Sequence, residues 1–204
     1  SRLMPPLPVV KRVKKPVKAA PAPRAAPPAP RPDPSELDVV LYPNPVLLHP
    51  AADVPAVDAY VRAVIQQMKH LMEKHEGVGL AAPQVGLPLR LFVFSDTGKA
   101  ADARVLINPR ITAAAGEEED EEGCLSLPDV RARIIRNRSV RVEALDEQGQ
   151  PVTLELEEYV ARIVQHEYDH LNGVLITDRM SPVAKMAARK KLRELEAQFG
   201  KSKK

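Results

Sequence analysis

The stretch Val164-Gln165-His166-Glu167-Tyr168-Asp169-His170-Leu171-Asn172-Gly173 has the form H-E-x-x-H. On a helix, side chains four apart stand one above the other, so His166 and His170 present two imidazoles to one point. Glu167 is turned about 100° from His166, near enough to act on a water held at that point. Two neutral imidazoles beside a carboxylate that does not ligate let a metal acidify water while a base takes its proton. The competing reading is a helix with two surface histidines and a solvated glutamate. A third ligand elsewhere in the chain decides between them. Gly173 stands where such a helix stops, which places the helix at about Glu158 to Asn172.

Working outward, Ser181-Pro182 reads as the N-cap and first turn of a last helix ending near Phe199. Upstream, Ser139–Leu145 and Pro151–Leu156 flank Asp146-Glu147-Gln148-Gly149 and predict a hairpin. Leu89–Ser95, Arg104–Asn108 and Ile134–Arg136 are further strand candidates. An amphipathic helix is predicted from about Ala56 to Lys74, with Val57, Val61, Val64, Ile65, Met68, Leu71 and Met72 at helical spacing. Asp53 or Asp58 lies at its start and Gly77 at its stop, while His70 and His75 read as surface residues. The run Gly77-Val78-Gly79-Leu80-Ala81-Ala82-Pro83-Gln84-Val85-Gly86 is a small-residue loop. It fails as a phosphate cradle because no Lys-Ser/Thr follows it. The expected fold class is α+β: antiparallel sheets packed around a central metal-binding helix, with an N-terminal helix and a C-terminal helix.

Charge is unevenly spread. Residues 1–34 hold eight Lys and Arg against one acid, and 11 of the chain's 21 prolines. That composition cannot bury enough apolar surface to offset ordering entropy, so a disordered basic tail is expected there, with one catalytic domain over 35–204. Residues 185–204 hold eight Lys and Arg against two Glu, and the 150 residues between these ends carry 24 acids and 14 bases. Basic ends on an acidic body point to an anionic partner such as nucleic acid. A single cysteine excludes an intrachain disulfide and fits a reducing compartment. No apolar run is long enough to span a bilayer, and prolines interrupt the N-terminal apolar patch. Those prolines, with Ser1 as the only serine of the tail, speak against an organelle transit peptide, and the protein is expected in the cytoplasm as a monomer.

Three sources for the third ligand can be compared. A histidine six residues after His170 would complete a metzincin site, but Ile176 stands there. A gluzincin-type zinc endopeptidase would use Glu194, within Glu194-Leu195-Glu196-Ala197, yet that helix is dense in Lys and Arg and Glu194 pairs naturally with Lys190. Cys124, in Glu122-Gly123-Cys124-Leu125-Ser126, is the third. A lone cysteine is most often a small buried hydrophobe, or it can be a nucleophile with His166 as base. The carboxyl groups of Glu117 through Glu122 speak against a free thiolate, whereas a divalent cation deprotonates the thiol outright. The acidic run can also be read as a solvated loop.

Gly77-Val78-Gly79-Leu80-Ala81-Ala82-Pro83-Gln84, Glu122-Gly123-Cys124-Leu125-Ser126 and His166-Glu167-Tyr168-Asp169-His170 together resemble the three signature motifs of peptide deformylases, in the same order. The resemblance extends from about Leu37 to Phe199 and includes Leu106-Ile107-Asn108-Pro109 and Leu171-Asn172-Gly173-Val174-Leu175. It implies removal of the formyl group from the formyl-methionine of newly made polypeptides, releasing formate. Carried onto this sequence, it implies Cys124, His166 and His170 as ligands of one divalent metal ion. Iron(II) is implied in the cell, and zinc, nickel or cobalt suit the same donors. Glu167 would move the proton, and the oxyanion would be met by the Gln84 amide and the Leu125 backbone N–H. Gly79 would hydrogen-bond the substrate, Arg131 would contact the peptide beyond methionine, and Val78, Tyr159, Ile163 and the His166 ring would hold the methionine side chain. Arg162 and Asp120 depart from the family pattern, standing where apolar residues line the pocket. A cation at 162 can instead pair with the acidic run. Remaining rivals are an inactive, ribosome-associated binder of formyl-methionine peptides and the zinc endopeptidase. The basic last helix, through Lys185, Arg189, Lys190, Lys191 and Arg193, offers a contact to ribosomal RNA, with plain packing as the alternative.

Overall fold

The strand Leu91–Phe94 (β2) is buried along its whole length, and its alternation feeds two cores at once. Leu91 and Val93 pack with the helix Ala59–Lys74 (α1). Phe92 and Phe94 pack with the helix Glu158–Leu171 (α2), which carries the H-E-x-x-H residues. The same division holds on the next strand, where Val105 and Ile107 join the first core and Leu106 the second. β2 runs between Gly79–Ala81 (β1) and Arg104–Ala115 (β3) in a five-stranded antiparallel sheet. Ser139–Leu145 (β6) and Pro151–Glu157 (β7) complete it, in the order β1-β2-β3-β6-β7. One helix therefore covers each face of the β1–β3 half of the sheet.

A second, separate ribbon pairs Glu118–Cys124 (β4) with Leu127–Arg136 (β5). On β5, Val130, Ala132 and Ile134 turn inward and Arg131, Arg133 and Ile135 outward. The inward set packs with Leu47, with Leu175, Ile176 and Met180 around the short helix Ile176–Arg179 (α3), and with Leu195 of the last helix, Pro182–Ser202 (α4). The helix α2 thus has the sheet on one side and the ribbon on another. The computed structural model describes residues 31–202, so the expected basic tail falls almost wholly outside the described residues, as do Lys203 and Lys204. Residues Pro32–Lys204 form one compact unit. No described helix is long and apolar enough to cross a membrane.

The α+β class, the two flanking helices and the Asp146–Gly149 hairpin match expectation; several local assignments do not. The first helix begins at Ala59 rather than Ala56, because the Asp58 side chain accepts from the Val61 N–H at 2.9 Å and caps it. Its left-handed exit residue is Glu76 (φ 57), not Gly77. A Cβ at Gly77 would lie 2.9 Å from Leu125 Cδ1, the movable tip of that side chain. The small-residue run expected as a loop is strand β1 followed by a 3-10 turn, Ala82–Val85, closed by Gly86. The acidic run, for which a solvated loop was one alternative, is strand β4 from Glu118 onward. Its outward carboxylates reach diagonally to β5, Glu119 to Arg133 at 3.0 Å and Glu121 to Arg131 at 2.5 Å, which is what makes so charged a strand tolerable. Strands predicted at Arg104–Asn108 and Ile134–Arg136 are longer, extending to Ala115 and back to Leu127, and α4 runs past Phe199 to Ser202.

Candidate active site

Helical spacing brings His166 and His170 together as expected, with their Nε2 atoms 3.2 Å apart. Cys124, at the end of β4, brings its Sγ to 3.4 Å from His170 Nε2. All three donor atoms lie within 4.8 Å of one another. Around a tetrahedral dication with nitrogen at about 2.0 Å and sulfur at about 2.3 Å, ligand atoms stand roughly 3.3–3.6 Å apart. The donors are therefore spaced for such an ion, and a thiolate with two imidazoles is a donor set for zinc, iron(II), nickel or cobalt. The group is one that could hold a metal ion; which metal does not follow from the spacing. Among the described residues, Glu194 plays no part in it: it is exposed, facing Lys191 rather than Lys190 at 3.8 Å, and Ile176 is core.

Glu122, quoted above only as part of a motif, is what aims His166. Its Oε2 lies 2.9 Å from His166 Nδ1, which turns the Nε2 lone pair of that ring toward the other donors. The same carboxylate takes both Nε and Nη2 of Arg136 at 2.9 Å and Nη1 of Arg162 at 2.8 Å. Burial pushes the Glu122 carboxyl up, but the bonds from Arg136 and His166 outweigh it and hold the group far below the usual carboxylate range. Arg136 continues to Asp169 on α2 at 2.5 Å, and Asp169 also binds Arg179 of α3. Arg162 thus pairs with the acidic strand, and its guanidinium is engaged by the ribbon although the residue lines the cleft. Asp120 is exposed on that strand. Burial lowers the pKa of His166, and its contacts with Cys124 and Glu122 more than reverse this, whereas burial and the neighbouring His166 keep His170 neutral. A metal competes with the His166 proton for Nε2.

Glu167 is 4% exposed and its Oε2 has no hydrogen-bond partner, as is true of His170 Nδ1. Burial raises the Glu167 carboxyl to about 7. The side chain packs on the bare Cα of Gly79, where a Cβ would stand 2.5 Å from Oε1 and 2.8 Å from Cδ. Gln84, 1% exposed, is fixed through Oε1, which accepts from the Ala81 N–H at 2.9 Å. That leaves its Nε2 directed toward Cys124 Sγ at 3.5 Å and Ser126 Oγ at 3.3 Å. Leu125 sits at the bend between β4 and β5.

Cys124, His166, Glu167, Gln84, Leu125 and Glu122 line one cleft of about 450 Å³, together with Val78, Gly79, Arg131, Tyr159 and Ile163, while His170 lies behind its wall. Ile163 is buried, but Tyr159 is 51% exposed and forms rim rather than floor. Arg131 is on the rim as well, paired with Glu121. A larger hollow of about 530 Å³ lies beyond Arg136 and Asp169 and contains none of the donors, so size does not mark the reactive site here. Arg162 pairs with the acidic run, the alternative the sequence offered for it, whereas the parts of Glu122 and Arg136 were left unassigned. The signal for them was the period-two pattern of β5, whose inward face ends on Arg136.

Residues 36–186 match the family described as polypeptide deformylase. A peptide deformylase of Desulfosudis oleivorans is 41% identical over 161 residues, covering 78% of this chain and 93% of its own length. One from Thermotoga maritima is 44% identical over 156 residues, covering 76% and 93%. Among solved structures, a plant peptide deformylase superposes with a TM-score of 0.79 at 36% identity, over 82% of this chain and 93% of that one. A peptide deformylase from Legionella pneumophila gives 0.74 at 38% identity, over 80% and 97%. Likeness of this strength, over nearly the whole of each relative and reaching both strands and helices that bring the three donors together, means that the chain belongs to the polypeptide deformylase family.

Proposed function

We propose that this peptide deformylase takes the formyl group from the N-terminal methionine of newly made polypeptides by hydrolysis at a metal ion held by Cys124, His166 and His170, with Glu167 moving the proton. The observation that carries this reading is the buried carboxylate of Glu167, its Oε2 without a partner among the described residues, in a cleft where Cys124 and His166 converge with His170 behind them. When bound, the metal supplies Lewis acidity that lowers the pKa of water and polarises the formyl oxygen. Glu167, whose proton affinity burial has raised, accepts a proton from the attacking water and delivers it to the departing amine nitrogen. The amide of Gln84, oriented by the Ala81 N–H, donates to the oxygen on which charge develops, and the backbone N–H of Leu125 is the second donor. The methionine side chain enters along Val78, Ile163 and the His166 ring, with Tyr159 at the rim; an unbranched thioether suits such a slot. Gly79 bonds the substrate through its backbone, and Arg131 exchanges Glu121 for the peptide beyond methionine. Iron(II) is our reading of the cellular metal, and the cytoplasm our reading of where a monomeric chain does this work.

The test is formate release from a formyl-methionyl peptide by protein purified without oxygen, with metal content measured on the same sample. The parent should release formate, and Glu167→Ala should keep its metal and lose turnover by about 10²- to 10⁴-fold. Absence of formate from metal-replete parent protein, or a Glu167→Ala variant as fast as the parent, would refute the assignment.

A further inference from the structure

We infer that Arg162 is a positioning residue: it sets the distance between the Cys124 thiol and the two histidines, and through that distance the affinity and geometry of the metal site. The two halves of the donor set come from different elements. His166 and His170 ride on α2, while Cys124 rides on the β4–β5 ribbon, which has no backbone ladder to the five-stranded sheet. Nothing in the hydrogen-bonded backbone of the sheet therefore fixes where the thiol stands relative to the imidazoles. Side chains must do it.

Arg162 lies one helical turn before His166 and is 6% exposed. Its Nη1 donates to the Ile134 carbonyl of β5 at 2.9 Å and to Glu122 Oε1 at 2.8 Å, and its Nη2 donates to the Glu118 carbonyl of β4 at 2.7 Å. One planar guanidinium thus grips both strands of the ribbon and the carboxylate that aims His166. Other ties exist. Arg136 reaches Asp169, and Gln165 on α2 holds both the N–H and the carbonyl of Asn137 just past β5. Gln165, Arg136 and the Arg162 bond to Glu118 all hold the end of the ribbon far from Cys124, where Glu118 pairs with Arg136, and Arg162 reaches from there to Glu122, two residues before the thiol. Arg162 alone among these ties bonds the backbone of both strands. It also shares Glu122 Oε1 with Arg136, so that together they hold that oxygen while Oε2 remains with His166 and Arg136. A lysine at this place has the charge but one compact ammonium, which cannot serve Ile134, Glu122 and Glu118 together.

The inference rests on the proposed metal ligands, and the experiment separates the two. Cobalt(II) is loaded without oxygen into parent, Cys124→Ala, Arg162→Met and Arg162→Lys proteins. Affinity is read by chelator competition, site geometry by the visible thiolate-to-cobalt and ligand-field bands, and fold by near-ultraviolet circular dichroism. A parent that binds no more tightly than Cys124→Ala would sink the ligand assignment itself. With that assignment standing, Arg162→Met should bind cobalt about 10- to 100-fold more weakly, with shifted bands and a parent-like fold spectrum. Arg162→Lys should fall between Met and parent. A folded Arg162→Met protein within twofold of parent affinity and with unchanged bands overturns the inference. Should the Met variant not fold, the Lys variant decides: cobalt binding weakened at least about threefold supports the positioning role, and parent-like binding and bands refute it.

Discussion

Gly79 and Glu167 meet at contact, so the residue that moves the proton is held in part by the absence of a side chain opposite it. This makes Gly79→Ala informative at the scale of one methyl. The new Cβ collides with Oε1 and Cδ, and because both partners are buried between β1 and α2 the carboxylate must shift. A displacement of about 1 Å at a reacting group costs roughly 10²-fold in rate. The expected outcome is a fall in kcat of that order with parent-level metal content, since the three atoms nearest the new methyl all belong to Glu167. Unchanged kcat would show that the contact does not hold Glu167 in place. The pairing of Gly79 with Glu167 was not legible in the sequence: small residues signal close approach, but only the strand register states what approaches. Glu122 is the same lesson in reverse. In a run of six acids it looks like its neighbours, and only burial against Arg136, Arg162 and His166 distinguishes it.

At the scale of the element, α4 has Leu195 as its one buried residue, with Ala184, Ala188 and Leu192 partly buried beside it. A phenol ties it down: Tyr42 Oη donates to Glu196 at 2.7 Å, while the Tyr42 backbone N–H donates to Ser126 near the site. Burial and the Glu196 carboxylate push the Tyr42 phenol up to about 12. A raised folded value means that this tie contributes fully below the unfolded value near pH 10, and that its contribution is lost as pH rises from about 10 to 12. Tyr42→Phe should therefore be less stable than parent at pH 8, with the difference shrinking toward pH 12, as followed by chemical denaturation. A difference independent of pH would reject the contact. The helix itself was legible from Ser181-Pro182, and Ala184 N–H does donate to Ser181 Oγ. Its tether was not, because Tyr42 and Glu196 lie 154 residues apart. Strand β4 was missed because propensity counts carboxylates against a strand, whereas the neighbouring arginines of β5 neutralise them.

At the scale of the whole molecule, an acidic body is followed by a helix rich in exposed bases. Lys185, Arg189, Lys190 and Arg193 of α4 all face solvent, and only Lys191 among its cations pairs with the ribbon, at Asp129. We propose that this face docks on ribosomal RNA, where the nascent substrate emerges. Reversing those four charges to glutamate should abolish co-sedimentation with ribosomes at low salt, and the parent's binding should weaken steeply as salt is raised. Equal co-sedimentation of parent and variant would exclude docking by this helix.

The sequence by itself determined the local facts. A four-residue spacing stacks two histidines on one helix face, apolar periodicity marks α1, and turn residues mark the hairpin, because each depends only on neighbours along the chain. Three ordered motifs were enough to identify the family, and with it the chemistry. Only the tertiary structure decided how Cys124 meets the histidines, why Gly79 must be bare, and that Arg162 serves the ribbon rather than the pocket. Those are distances between segments that no hydrogen-bonded backbone joins. They are set by buried side chains whose partners stand far off in the chain, 46 residues for Cys124 and His170 and 88 for Gly79 and Glu167.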